Sequence, residues 1–309
     1  MNRNRITHTN TYWHDVVIGD QNAENLFVGY GEGLDILIGG NRNDTFQLTY
    51  EYDEYGDTVY GGWGVDTLDF SLADRGLSIN LQEGVAGLVV YDWNYELNGP
   101  NWDGFEPGHP ERVEVSTVFN SIENVVGTAF DDRIFGNDAD NVIEGGGGSD
   151  VIYGGRGNDT ASYASSDQGV LVSLGGLQSA VGGLSELIGF GFGGDAHGDA
   201  LVSIENVIAS AHNDTLYGSR ADNVFTGGAG VDTFVFNRTI GHDTIVDFDA
   251  GGDDHDVIRF EGVFDSWNDL RNNMDDTGDD VVIWIDDHNS VTLQNVSFNQ
   301  LGASDFDLV

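Results

Sequence analysis

Residues 145–163 have the sequence GGGGSDVIYGGRGNDTASY, in which a pattern of nine residues repeats. Glycines at positions one, two and four are followed by an aspartate at position six and an apolar residue at position eight, and the pattern restarts nine residues later. Glycine reaches positive φ without steric cost, so the GGxG half predicts a tight turn. The β-branched half predicts a strand of about three residues with one inward side chain. Repetition of turn and strand predicts a parallel solenoid.

The same nine-residue frame recurs along the chain. Frames begin at residues 127, 136, 145 and 154, then at 209, 218 and 227, and earlier at 30, 39 and 61. Position six is occupied by Asp35, Asp44, Asp66, Asp132, Asp150, Asp159, Asp214 and Asp232, and by an amide in Asn141 and Asn223. Ten frames in one chain identify a repeat architecture.

These aspartates predict metal sites between the turns. One large apolar side chain per strand makes a thin core, which needs a further cross-link to offset the entropy of ordering the chain. Carbonyl oxygens of one turn and a carboxylate of its neighbour form an all-oxygen cage that suits calcium. Backbone ligands are expected at Gly61, Gly62, Gly64, Gly145, Gly146, Gly148, Gly154, Gly155, Gly157, Gly227, Gly228 and Gly230. The amides at Asn141 and Asn223 remove a charge, so weak or unused sites are expected there.

Composition narrows the classes of partner. The 309 residues include 39 Asp and 14 Glu against 11 Arg, with no Lys and no Cys, and the net charge is -42. Such a chain repels itself and disfavours nucleic acid as a partner. The absence of Cys excludes disulfides and thiol chemistry. The sequence contains no run of 18 apolar residues, so it predicts no membrane span. The N-terminus lacks the apolar run of a cleavable signal peptide.

The frames resemble the calcium-binding nonapeptides of RTX proteins. The resemblance implies an all-β fold, a right-handed parallel β-roll with β-rich insertions and a C-terminal β cap, with calcium between its turns and the position-six side chains as ligands. Residues 236–309 resemble the RTX cap, where Asp243, Asp247 and Asp256 are further candidate ligands and 279–296 predicts a hairpin. The ending SDFDLV is similar to the C-terminal signal of type I secretion, which implies export by a Gram-negative bacterium to the extracellular space.

The predicted organisation has three parts. Residues 1–27 form a lead-in and first coil, 28–235 form the calcium-binding roll, and 236–309 form the cap with the secretion signal. Two excursions leave the roll, at 70–120 and 163–202. They belong to a larger repeat, because SIENVVGTAFDDRIFG from 121 corresponds to SIENVIASAHNDTLYG from 203.

An aromatic, acidic loop lies in the first excursion, at residues 91–115. Trp93 and Trp102 could form a platform for sugar rings. Alternatively, the aromatic side chains of this loop fold over the flank of the roll as a small satellite core.

Catalytic motifs are absent from the sequence. It contains neither HExxH nor GxSxG, which disfavours the metalloproteases and lipases that carry RTX repeats. Without Lys it also lacks the acylation sites of RTX toxins. His109 with Asp103, Glu106 and Glu111 is the one local cluster suited to acid or base work, and a surface role is the simpler interpretation.

We therefore predict a secreted calcium-binding protein that is not an enzyme. Its folding is expected to be triggered by extracellular calcium, and it would act as a structural or binding module that binds several calcium ions. One alternative is a polysaccharide-binding or polysaccharide-modifying protein, or an accessory module of the kind that accompanies epimerases. Another alternative is a calcium-dependent adhesin or surface-layer component that self-associates.

Overall fold

The structure is a computed structural model that describes residues 4–7, 15–30, 35–49, 57–90, 112–175, 189–251 and 255–309. Strands dominate these residues. Their bounds are β1 Asn4–Thr7, β2 Val16–Ile18, β3 Asn25–Tyr30, β4 Ile36–Gly40, β5 Thr45–Leu48, β6 Asp57–Gly62, β7 Thr67–Asp69, β8 Ser78–Asn80, β9 Val85–Val90, β10 Arg112–Asn120, β11 Asn124–Val126, β12 Arg133–Phe135, β13 Val142–Glu144, β14 Val151–Tyr153, β15 Thr160–Ser162, β16 Leu171–Ser173, β17 Gly189–Phe192, β18 Ala200–Val202, β19 Asn206–Ile208, β20 Thr215–Tyr217, β21 Val224–Thr226, β22 Thr233–Phe236, β23 His242–Ile245, β24 Val257–Phe260, β25 Met274–Asp276, β26 Val281–Asp286, β27 Asn289–Leu293 and β28 Phe306–Leu308.

Helix is scarce in the described part of the chain. One α-helix, α1, covers Trp267–Asn272, and short 3-10 turns cover Gly194–Ala196, Phe298–Gln300 and Ala303–Asp305. Ser266 caps α1 by accepting the backbone N–H of Asp269. None of these described helices combines the length and apolarity that crossing a bilayer requires.

Two long sheets contain all of the described strands. The first has 13 strands in the order β1-β3-β5-β7-β11-β13-β15-β19-β21-β23-β27-β26-β25, and the second has 15 in the order β2-β4-β6-β10-β9-β8-β12-β14-β18-β17-β16-β20-β22-β24-β28. Consecutive nonapeptides alternate between the sheets, so residues 18 apart pair in parallel, as Ile134 does with Ile152. This architecture confirms the predicted all-β parallel roll.

The core is the space between the two sheets. The apolar residue at position eight of each frame points into it and is buried: Leu37, Phe46, Leu68, Ile134, Ile143, Ile152, Ala161, Leu216, Phe225 and Phe234. Equivalent side chains lie next to one another along each sheet, as Phe27 and Phe46 do with ring centroids 4.6 Å apart. Fully burying a large aliphatic or aromatic side chain stabilises the fold by about 1.5–3 kcal/mol, and each strand supplies about one such side chain.

The two excursions have the same topology. In each, the chain runs ahead by three strand positions in the 15-stranded sheet and returns through an antiparallel hairpin, β8-β9-β10 in the first and β16-β17-β18 in the second. The 13-stranded sheet meanwhile continues directly from β7 to β11 and from β15 to β19. The predicted β-rich insertions are therefore strands of the roll's own sheet.

The C-terminal residues extend both sheets and close the roll. The predicted hairpin is confirmed, because β26 and β27 pair antiparallel. Strand β27 also pairs in parallel with β23, and β28 pairs in parallel with β24. The β-rich cap is thus continuous with the roll.

Candidate metal centres

The turns of the roll form two rows, one along each edge. Turns that lead into the 13-stranded sheet span 39–44, 61–66, 136–141, 154–159 and 218–223, and we call this row edge 1. Turns that lead into the 15-stranded sheet span 127–132, 145–150, 209–214 and 227–232, and we call this row edge 2. Each row therefore brings position-six side chains into one line.

A ladder of hydrogen bonds runs along each row. Oδ1 of Asp150 accepts the backbone N–H of Asp132 at 2.8 Å, and Oδ1 of Asp159 accepts that of Asn141 at 2.9 Å. The same bond joins Asp35 to Asp15, Asp44 to Asn25, Asp66 to Asp44, Asp232 to Asp214, Asp243 to Asn223 and Asp256 to Asp232. One carboxylate oxygen per turn thus fixes the register of its neighbour.

The second oxygen of six of these carboxylates is buried without a hydrogen-bond partner. These atoms are Oδ2 of Asp44, Asp66, Asp150, Asp159, Asp232 and Asp243. Each of the six side chains is at most 1 % exposed. A buried carboxylate oxygen without a partner is costly unless a cation or a proton compensates its charge. We call turns with such an aspartate open turns.

Glycine is required where these oxygens lie. A Cβ on Gly145 would lie 2.2 Å from Oδ2 of Asp150, and a Cβ on Gly227 would lie 2.4 Å from Oδ2 of Asp232. Positions two and four of the GGxG turns have positive φ: Gly62, Gly64, Gly146, Gly148, Gly155, Gly157, Gly228 and Gly230. The conformation that side chains avoid is therefore present in every GGxG turn.

The donor set of an open turn fits a hard cation. Each open turn offers one carboxylate, and its Oδ2 lies close to a glycine, so backbone carbonyls could complete a cage of oxygen alone. One carboxylate per turn also explains why the described residues contain no group of three His, Asp or Glu that could hold a metal. Calcium, which takes backbone carbonyls readily, suits these open turns.

Four other turns satisfy their position-six side chain internally, and we call them capped turns. They span 127–132, 136–141, 209–214 and 218–223, and position two is Thr128, Asn137, Ser210 or Ser219 instead of glycine. The N–H of that residue donates to position six of the same turn, with N–O distances of 2.6, 2.9, 2.9 and 2.6 Å respectively. The predicted ligands Asp132, Asn141, Asp214 and Asn223 therefore already have local partners.

The candidate ligands of the cap divide in the same way. Asp243 belongs with the open turns. Asp247 accepts the N–H groups of Gly227 and Gly228 with its two oxygens, both at 2.9 Å, and Asp256 accepts those of Asp232 and Asp249. The geometry thus sets Asp243 apart from Asp247 and Asp256.

The nonapeptide frame misses four members of the ladder. Asp57 accepts the N–H of Asp35 at 3.0 Å, and Asp199 accepts that of Asp150 at 2.8 Å. Glu123 and Glu205 occupy the same place for Asp66 and Asp159, both at 2.9 Å. The repeated Ser-Ile-Glu-Asn sequence is the signal for the two glutamates, whereas Asp57 and Asp199 are isolated aspartates at the start of a strand and have no such signal.

Burial raises the pKa of most carboxyls in the two rows. Desolvation, with smaller repulsion from Asp199, raises the pKa of Asp150 to about 9. The pKa of Asp243 rises to about 8, and those of Asp66 and Asp232 rise to about 7, with desolvation as the largest cause in each. The pKa of Asp159 rises to about 6 for the same reason. A nearby positive charge would therefore stabilise the ionised form of each of these carboxyls.

Several predictions concern residues outside the described part of the chain. Trp93, Trp102 and the cluster of Asp103, Glu106, His109 and Glu111 all lie there. The glycan platform and its alternative as a satellite core stay predictions.

Comparison with known proteins supports the calcium interpretation. The family model of the RTX calcium-binding nonapeptide repeat matches residues 53–73, 126–161 and 206–238, in four copies. These ranges contain the open turns at 61–66, 145–150, 154–159 and 227–232. The chain therefore carries RTX calcium-binding repeats, folded as a β-roll. No curated protein matches it.

Among solved structures, the chain is similar to the extracellular lipase LipA from Serratia marcescens. The identity is 16 %, the TM-score is 0.30, and the match covers 94 % of this chain. It spans 40 % of the lipase chain. At this TM-score the likeness carries no argument about activity, so the absence of enzymatic function stays a prediction.

Proposed function

We propose, on the premise that this chain is an RTX-repeat protein, that calcium folds it outside the cell into a rigid structural or binding module. The observation that carries this proposal is the set of six buried carboxylate oxygens without partners in the open turns. They lie in a chain whose net charge of -42 opposes compaction. Binding that is coupled to folding stabilises the folded state directly.

The residues of the open turns would hold the ions. Asp44, Asp66, Asp150, Asp159, Asp232 and Asp243 would supply carboxylate ligands, and the glycine-rich halves would supply backbone oxygens. Calcium would neutralise these carboxylates and cross-link neighbouring turns. We expect no ion at the capped turns, because the backbone N–H of position two already donates to the side chain at position six. Dissociation constants on the order of 10⁻⁴ to 10⁻³ M are expected for an extracellular module.

The same proposal divides the chain by role. Residues 1–27 begin the solenoid, 28–235 carry the calcium-binding turns, and 236–309 close the roll and direct type I secretion. Low cytoplasmic calcium would leave the chain unfolded for export, and external calcium would fold it. The C-terminal resemblance, the acidic composition and the absence of Cys support this route.

A calcium titration tests the proposed function. The full chain is treated with chelator and followed by far-ultraviolet circular dichroism and light scattering, with magnesium as the control ion. We expect β-structure to appear cooperatively with calcium and not with magnesium, while scattering stays that of a monomer. A chain already folded in chelator at pH 7.5 and indifferent to calcium would refute the proposal. Scattering that rises with calcium would favour the adhesin alternative.

A further inference from the structure

The outer faces of the two sheets differ in charge. Along each strand, side chains alternate between the core and the outer face. In the 15-stranded sheet, the described outward positions of the fourteen strands from β2 to β24 hold no Asp or Glu, and Asp307 in the last strand is paired with Arg259. The outward positions of the 13-stranded sheet include Asp69, Glu144 and Asp275. In a chain with 53 acidic residues, one sheet face is thus free of carboxylates over nearly all of its described length.

Exposed apolar side chains are concentrated at one end of this face. Val16, Ile18, Ile36, Tyr60 and Val118 are between 37 % and 63 % exposed, and we call them the apolar patch. They lie on the adjacent strands β2, β4, β6 and β10, and the pairing of these strands places them in two neighbouring rows. A contiguous exposed apolar patch of this kind marks an interaction site.

Aromatic rings further along the face pack against one another. Phe135 in β12 and Tyr153 in β14 stack with ring centroids 4.9 Å apart and an angle of 4° between their planes. Their other neighbours across the sheet are Asn80 and Val202, so the rings present their edges and not their faces to solvent. A sugar ring would need a free aromatic face. The pair instead continues an even apolar surface, which favours a second surface of the same kind as its occupant.

Charge favours a second copy of this chain as that occupant. Two molecules that each carry a net charge of -42 repel one another wherever their acidic surfaces meet. On the outer face of the 15-stranded sheet, two copies can approach without placing carboxylates opposite one another. A basic partner would instead be attracted to the rows of aspartates along the edges.

The face is large enough for a weak dimer. Fourteen strands about 4.8 Å apart give a length of about 65 Å, and three residues along each strand give a width of about 10 Å. Two such faces in contact would bury about 1,300 Å² in total, which is at the lower end of specific interfaces. A dissociation constant on the order of 10–100 µM is therefore expected.

We propose that two calcium-loaded copies of this chain associate through the outer faces of their 15-stranded sheets, with apolar patch against apolar patch about a two-fold axis. Such a contact uses the same surface of both copies. This inference goes beyond the proposed function, because it concerns a sheet face and not the turns. The contact joins apolar surfaces of like-charged molecules, so added salt should strengthen it by screening their repulsion.

The experiment is sedimentation velocity of the full chain in calcium over a range of protein concentrations. We expect a monomer–dimer equilibrium that becomes tighter as sodium chloride rises from about 0.05 to about 0.5 M. The calcium titration of the proposed function is run at about 1 µM, below the expected dissociation constant, so a monomer is still expected there.

Two matched substitutions test the choice of face. Ile36 and Val224 both occupy position seven of a frame and are both 37 % exposed, but Ile36 lies in the apolar patch and Val224 on the outer face of the 13-stranded sheet. We expect Ile36→Glu to weaken dimerisation at least about tenfold, because the two-fold axis places the new carboxylate in the interface twice. Val224→Glu should leave dimerisation unchanged. Circular dichroism in calcium checks that both variants fold.

Chemical cross-linking gives a second measurement if Ile36→Glu fails to fold. The chain has no Cys, so a single introduced thiol reports its own position. We expect Val118→Cys to form a covalent dimer with a short bifunctional maleimide in calcium. Val224→Cys should stay a monomer under the same conditions.

The outcomes separate this inference from the proposed function. A chain that folds with calcium yet stays a monomer at about 500 µM would overturn the dimer and leave calcium folding intact. Equal effects of Ile36→Glu and Val224→Glu, or equal cross-linking of the two Cys variants, would overturn the choice of face. Association that weakens with added salt would overturn the apolar contact between like-charged copies. Growth beyond dimers would overturn the two-fold arrangement.

Discussion

The turns at 136–141 and 154–159 lie one above the other on edge 1, yet their position-six side chains differ in their hydrogen-bond partners. In the upper turn, GGRGND, Oδ2 of Asp159 is buried without a partner. In the lower turn, GNDADN, Asn141 accepts the N–H of Asn137 and donates to the carbonyl of Glu123. The residues at positions two and six of the lower turn thus satisfy each other, whereas the upper turn keeps a buried carboxylate oxygen without a partner.

Under the proposed function, calcium-binding turns would alternate along the solenoid with turns that need no ion. Edge 2 has the same pairing, because capped turns at 127–132 and 209–214 stack on open turns at 145–150 and 227–232. In each of these pairs one turn has a buried carboxylate oxygen without a partner and the other does not, whereas the turns 39–44 and 61–66 of edge 1 are both open and stack directly on each other. Ion binding can therefore fasten adjacent coils without a site at every turn.

The largest effect is expected from pH in the absence of calcium. The folded pKa values of about 6 to 9 in Asp66, Asp150, Asp159, Asp232 and Asp243 lie above the ordinary value for Asp. Their contribution to stability is therefore complete below about pH 4 and is lost as pH rises through the folded values.

In chelator we expect β-structure at pH 5 that is lost by pH 8, measured by circular dichroism. Calcium should abolish most of this pH dependence, because the ion replaces the proton. Equal β-structure in chelator at the two pH values would contradict the presence of uncompensated buried carboxylates in the two rows.

A glycine substitution should distinguish the two turns most sharply. Gly157 has φ of 123°, and a Cβ there would lie 2.6 Å from the carbonyl oxygen of Ala139 in the capped turn below. Gly157→Ala should cost about 1–3 kcal/mol from its conformation alone.

The matched control is Ala139→Gly, at position four of the capped turn, which should cost at most about 1 kcal/mol. Urea unfolding in excess calcium measures both variants. Equal losses would show that the two turns do not differ in backbone requirement.

Removal of one open-turn carboxylate should reduce the number of bound calcium ions by one. Asp150→Asn is expected to lose about 1.4–2.7 kcal/mol in about 10 mM calcium, which is the linkage term for a site with the proposed affinity. The loss should shrink as calcium is lowered. Asp287→Asn removes an exposed charge and should change neither the stability nor the number of ions bound, as counted by equilibrium dialysis. An unchanged ion count in Asp150→Asn would argue against this turn as a site.

The smallest effect is expected in a capped turn. The hydroxyl of Ser210 donates to both oxygens of Asp214, at 2.9 and 3.1 Å, and accepts the N–H of His212. Ser210→Ala should cost about 0.5–1.5 kcal/mol, the usual worth of such a bond. The calcium dependence of the unfolding midpoint should stay that of the unmodified chain. A steeper dependence would indicate that the capped turn also exchanges an ion.

The sequence predicts the fold well because its period is explicit. Gly at positions one, two and four and an apolar residue at eight define the turns and strands, and the structure confirms a parallel roll with position eight buried. The resemblance to RTX proteins adds the cap and its hairpin, which the structure also contains.

The sequence does not separate open turns from capped turns, because position six alone does not show what the carboxylate contacts. Asp132 and Asp150 look alike in the frame, but Thr128 caps the first and nothing caps the second. Asp57 and Asp199 join the ladder through strand pairing over long sequence distances, which a nine-residue period cannot reveal.

A calcium-loaded crystal structure with anomalous scattering would locate each ion and so test the division into open and capped turns. We predict ions beside Oδ2 of the open-turn aspartates, Asp44, Asp66, Asp150, Asp159, Asp232 and Asp243, and none bound by Asp132, Asn141, Asp214 or Asn223. Ions distributed equally over open and capped turns would contradict the division of the roll into cation-dependent and self-sufficient turns.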